Sequence, residues 1–142
     1  MLHEKIKLEE QVTEILLYLG VPAHLKGYYC LRAAIMLAVN DAGILRAVTK
    51  KLYPTVAEIY NTTASRAERA MRHAVESAWK RSDGHAKRKY FGNTVTSHRQ
   101  PTNSEFIAMV ADRLALGHNG SGEAYKSLKV VQDRARQGAG LG

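Results

Sequence analysis

The chain has 142 residues, 45% of them hydrophobic, so it is about one domain long and carries enough apolar material for a core. Its 21 Lys and Arg outnumber 13 Asp and Glu, a formal charge of +8 that favours a polyanionic partner. A single cysteine, Cys30, excludes a disulfide framework and a cysteine zinc cluster within one chain, and no apolar run approaches the roughly 20 residues of a membrane span.

MLHEKIKLEE is too charged for a signal peptide, and a cytoplasmic, nucleoid-associated protein is expected. The first predicted helix covers about 5 to 19, with Leu8, Val12, Ile15, Leu16 and Leu19 at helical spacing and Gly20 and Pro22 as stop signals. HLKGYYCLRAAIMLAVND follows as a core helix, with Leu25, Tyr28, Ile35, Met36 and Val39 on one broad face and a turn at Asn40-Asp41. Cys30 lies in its apolar run as a buried thiol. Ile44, Leu45, Val48 and Leu52 continue the helical period to Tyr53. There Pro54 is expected to break the helix and start another.

YPTVAEIYNTTASRAERAMRHAVESAW fits a helix-turn-helix for reasons of packing. A first helix from Pro54 to Tyr60 has Ala57 where the second must cross it. Asn61 stands where the turn needs a left-handed backbone, and it is the best non-glycine residue for that. The second helix, 63 to 79, turns Ala67, Ala70, Met71, Ala74, Ala78 and Trp79 inward and leaves Thr63, Arg66, Glu68, Arg69, Arg72 and His73 outward. Arginine can bond guanine bidentately, and glutamate can accept from the cytosine amino group. A target site containing cytosine and guanine is implied.

Past this helix, RSDGHAKRKYFGNTVTSHRQP reads as a loop-rich connector with one short helical turn before Tyr90. TNSEFIAMVADRLALG then opens on the capping-box pattern Thr102-x-x-Glu105, runs through Phe106, Val110 and Leu114, and stops at Gly117. In the tail, 118–142, a short helix from about 122 to 136 and a disordered glycine-rich end are expected. The fold class is all-α: about six helices with a helix-turn-helix at 54–79 in a domain spanning 1–117, a bundle unrelated to the winged helix.

Charge is not evenly spread. Residues 66–99 hold nine basic and three acidic side chains, against seven and six before them and five and four after. Such a block has the form of an electrostatic footprint. Phosphate contacts are expected from Lys80, Arg81, Lys87, Arg88, Lys89 and Arg99, with Thr62, Thr63 and Ser65 at the N-terminal end of the second helix. Each has a plainer reading: Ser65-x-x-Glu68 also forms a capping box, Arg66 and Arg69 could be a solvated face, and Arg72 with Glu76 an i, i+4 pair. The turn, the alanine stripe and the charge block fall in one window, which weighs toward DNA. No His-x-x-x-His or His-Glu-x-x-His spacing, nucleophile elbow or glycine-rich phosphate loop is present. Neither a metal nor a cofactor is expected, and no catalysis. A protein-interaction module and a nonspecific nucleoid-type protein stand as alternatives.

GVPAHLKGYYCLRAAI, YPTVAEIYNTTASRAERAMRHAVESAW and PTNSEFIAMVADRL closely resemble the C-terminal DNA-binding domain of sporulation stage-zero-A response regulators. The resemblance runs from about Leu8 to Leu116. It implies a six-helix fold that binds double-stranded DNA at a promoter element with a cytosine/guanine core, as a homodimer on tandem sites, with part of the domain meeting RNA polymerase. It implies base reading by Arg66, Glu68 and Arg69 and phosphate contact by Arg72, His73 and Lys80. The phosphorylated receiver domain of the family is not found, so phosphorylation-driven pairing does not carry over. An excised domain and a stand-alone relative both stand as readings, and the N-terminal Met and the tail weigh toward the second.

Overall fold

A computed structural model describes residues 2–91 and 99–118, and within them all side chains but those of 86–88, 91, 117 and 118. The expected tail helix and disordered end, His98, and the side chains of Lys87 and Arg88 lie outside the described residues. Six α-helices make up the described fold: α1 (Leu2–Tyr18), α2 (Lys26–Asn40), α3 (Tyr53–Ile59), α4 (Ala64–Arg81), α5 (Gly84–Phe91) and α6 (Asn103–His118). The all-helical class expected from periodicity is the one observed.

α1 buries Leu8, Val12, Leu16 and then Leu19, as its spacing requires. It ends in a Schellman motif. Gly20 takes φ +86°, its N–H donates to the Leu17 carbonyl at 3.1 Å, and the Val21 N–H donates to the Leu16 carbonyl at 2.9 Å.

α2 runs through the middle, packed by α1, α4 and α6. Its buried side chains are Tyr28, Cys30, Leu31, Ala34, Ile35 and Ala38, while Leu25, Met36 and Val39 sit only at the margin. The expected face was therefore rotated. A helix surrounded by three others buries its small residues as deeply as its large ones, and a reading that follows large side chains misses the alanines. Fully buried side chains such as Leu16, Leu31, Ile35 and Phe106 contribute about 1.5–3 kcal/mol each.

Gly27 opens α2 against α4. A Cβ there would overlap the Ala70 carbonyl oxygen and come within 2.7 Å of the Ala74 Cβ. Only a residue without a side chain lets the two backbones approach this closely.

The path from α2 to α3 is not the regular helix its periodicity suggests. The Asp41 carboxylate accepts from the Gly43 N–H at 3.1 Å and starts a 3₁₀ turn at Ala42–Arg46. Ala47 (φ −135°, ψ 50°) interrupts, and a π turn at Val48–Leu52 follows. That turn feeds straight into α3, so Pro54 breaks nothing. It lies in the first turn of α3, so the helix start expected there is present and the break is not.

α5 is longer than the single turn expected of the connector. It seats on α1 and α6 through Tyr90, whose ring lies 5.6 Å from that of Tyr18 and under the Arg113 guanidinium at 4.6 Å. α6 begins with the expected capping box: the Glu105 N–H donates to Thr102 Oγ1 at 3.1 Å, and the Thr102 N–H donates to Glu105 Oε1 at 2.9 Å. Arg99 adds a bidentate pair to the same carboxylate at 3.2 and 3.0 Å. Phe106, Val110 and Leu114 then face the core, as their i, i+4, i+8 spacing requires.

Replacing Gly27 with alanine should drive α2 and α4 apart and lower stability by at least ~1–3 kcal/mol, read by thermal melting. For Glu105, burial raises the carboxyl, but the Arg99 guanidinium and the Thr102 amide and hydroxyl outweigh it and hold it below the usual 4.5. Its contribution is complete above that ordinary value and lost as pH falls through the depressed one. Glu105→Gln should therefore melt lower than the wild type at neutral pH, and the gap should close on acidification.

Candidate nucleic-acid interface

The candidate site is α4 with the turn before it. α3 buries Val56 and Ala57 against α4, and the chain leaves it with the Thr62 N–H donating to the Ala57 carbonyl at 2.9 Å. Asn61 has φ 51°, the one positive φ outside glycine among the described residues. The left-handed turn expected there is present. It swings the chain so that α4 starts across α3 in the manner of a helix-turn-helix.

Thr63 caps α4: its Oγ1 accepts from the Arg66 N–H at 3.2 Å. The alternative capping box of Ser65 and Glu68 is not formed, because the helix already begins at Ala64. Ser65 is instead an exposed residue of the first turn.

α4 buries Ala67, Met71, Ala74, Val75 and Ala78. Ala70 and Trp79, expected inward, are half-buried, and Val75, which was not expected, is fully inside. The small residues face α2 as well as α3. The opposite side is free. Arg69 stands about 200° of winding beyond the buried Ala67, on the far side of the helix. Arg66 and His73 lie beside it, and all three are exposed.

Glu68 occupies a different azimuth. It precedes the buried Val75 by one heptad, a displacement of only ~20°, so it rises from the margin of the packed face. Its carboxylate lies 3.7 Å from Arg72 Nε, and its backbone carbonyl accepts from Asn103 Nδ2 at 3.0 Å. Asn103 is 6% exposed, the single buried polar residue among those described, and it ties the start of α6 to α4. Tyr53, at the head of α3, lies beside Asn103 and Ser104, and burial pushes its phenol up. Asn103 and Tyr53 were not singled out in the sequence. No local signal marks Asn103, because the carbonyl it bonds lies 35 residues away in the chain.

The charge block sorts into engaged and unengaged cations. Arg72 pairs with Glu68 and not with Glu76, which is taken by Lys80 at 2.9 Å. The hydrogen bond from Lys80 holds the Glu76 carboxyl below its usual range. Arg99 is held by Glu105. Lys89 lies 5.2 Å from the Tyr18 ring and 5.8 Å from that of Tyr90, on the side where α1 ends. Arg66, Arg69 and Arg81 are exposed and have no acidic partner among the described residues. Thr62 is half-buried and Thr63 exposed.

An exposed arginine pair on the free face, behind a rigid turn, is an arrangement that can meet base edges. Replacing Asn61 with alanine should cost about 1–2 kcal/mol in thermal melts, because Cβ disfavours the left-handed region, whereas Asn61→Gly should melt close to the wild type.

Residues 12–114 match the family model described as Sporulation initiation factor Spo0A C terminal. The matched stretch runs from the second half of α1 to near the end of α6 and contains the whole of α2 to α5.

Proposed function

Because the chain belongs to the Spo0A C-terminal family, that of a DNA-binding, transcription-regulating effector domain of sporulation, we propose that α4 enters the major groove and reads a short promoter element containing cytosine and guanine. Double-stranded DNA is the partner of this family, and α3 with α4 is its helix-turn-helix. Among the described residues no helix is long and apolar enough to cross a membrane.

In this reading Arg66 and Arg69 bond guanine edges. The observation that carries it is their exposure, without acidic partners, on the side of α4 opposite its buried face. Glu68 joins from the flank and accepts from a cytosine amino group by letting go of Arg72. An exposed i, i+4 pair is worth only ~0.5 kcal/mol, so this exchange costs little. The freed Arg72 then takes a phosphate, alongside its mid-helix neighbour His73 and, near the ends of the helix, Arg81, Thr62, Thr63 and Ser65. Lys80 reaches a phosphate by leaving Glu76. Lys87, Arg88 and Lys89 supply sequence-independent attraction from α5. Copies bind as pairs on tandem sites and meet RNA polymerase through a surface away from α4.

Arg69→Ala should weaken a duplex chosen by selection from random DNA by about 1–3 kcal/mol and relax the base preference at one position. The comparison is made by titration against a scrambled duplex. Equal loss on both would remove Arg69 from base reading.

A further inference from the structure

The strongest unassigned charge in the fold lies before α3, outside the block that the sequence marks. Arg46, Lys50 and Lys51 are all exposed, and none has an acidic partner among the described residues. From residue 42 to residue 57 the chain contains no acid at all. By contrast Arg72, Lys80 and Arg99 are ion-paired within the fold, and Lys89 lies over two tyrosine rings. A cation already paired must leave its partner to neutralise a phosphate, and an unpaired one need not.

The connector is also built rigidly. Val48–Leu52 winds into α3 without a gap, since the Tyr53 N–H donates to the Val48 carbonyl and the Thr55 hydroxyl donates to the Lys51 carbonyl at 2.7 Å. Leu52, Val56 and Ala57 hold this winding to the core, and Lys50, Lys51 and Pro54 stand on its exposed side. Lys50 and Lys51 lie in the turn that runs directly into Tyr53, the first residue of α3. Tyr53 lies close enough to Glu68 and Arg72 for both charges to act on its hydroxyl. The basic connector therefore borders the flank of α4 that carries Arg72.

A helix in the major groove, which is about 12 Å wide, has a phosphate backbone along each side, and the first helix of a helix-turn-helix crosses one of them. We infer that Arg46, Lys50 and Lys51 form a second phosphate-binding surface, engaging the DNA backbone that borders the groove on the α3 side. The inference rests on α4 being the groove helix.

The test titrates the full chain with a selected and a scrambled duplex from about 50 to 400 mM salt. Each phosphate contact contributes ~0.9 to the slope of log K on log salt. Lys50→Gln with Lys51→Gln should flatten the slope by about 2 and weaken both duplexes by the same factor, while Lys50→Arg with Lys51→Arg keeps the wild-type slope. A wild-type slope in the glutamine pair, or a loss confined to the selected duplex, overturns the assignment. Should the pair fail to fold by circular dichroism, Arg46→Gln serves, with a slope flatter by ~1 expected and an unchanged slope against it. A wild-type chain that binds both duplexes equally would count against base reading by α4, and the slope would still decide the connector.

Discussion

The close approach of α2 and α4 at Gly27 is the constraint on which the rest of the molecule depends. A backbone carbonyl of α4 occupies the space a Cβ of α2 would need. This contact sets how deep α4 sits, and it accounts for the alanines, Ala67, Ala74 and Ala78, on the buried side of α4. Larger residues there would lift the helix off its seat. Met71 and Val75 are the exceptions, and both are fully buried.

A helix anchored through a thin face keeps most of its circumference free. α4 uses the free part for charge, and its packing decides which charges remain available. On one flank, Glu68 and Arg72 are drawn into contact with each other and, through Asn103 and Tyr53, with the starts of α6 and α3. Arg69 at the centre of the free side, and Arg66 on its other flank, are left without acidic partners among the described residues. The same sorting runs through the whole basic block, where pairs within the fold take Lys80 and Arg99. Local charge density in a sequence therefore overstates the footprint in some places and understates it in others. The connector before α3, outside the basic block, keeps Arg46, Lys50 and Lys51 exposed and without acidic partners among the described residues.

Much of this was legible before any coordinates. Asn61 declared the turn because few residues tolerate a positive φ, Gly20 declared the end of α1 for the same reason, and Thr102 with Glu105 declared the start of α6. These signals are local: each depends on backbone geometry and hydrogen bonds within a few residues. The misreadings were of another kind. The face of α2 was rotated because the depth of an alanine depends on what packs over it. Pro54 was read as a break because the π turn before it, which delivers the chain already helical, leaves no mark in the periodicity. Of the two glutamates at helical spacing from Arg72, the structure pairs it with Glu68 and leaves Glu76 to Lys80.

The sequence by itself determined the helical class, the turn, the caps and the family, since these rest on short-range geometry and on long strings such as NTTASRAER and PTNSEFIAMVAD. Only the tertiary structure decided how closely α4 lies on α2 and which side of it Glu68 shares with α6. Those outcomes depend on distances between residues far apart in the chain, and such distances are set by packing, to which spacing along one helix is blind.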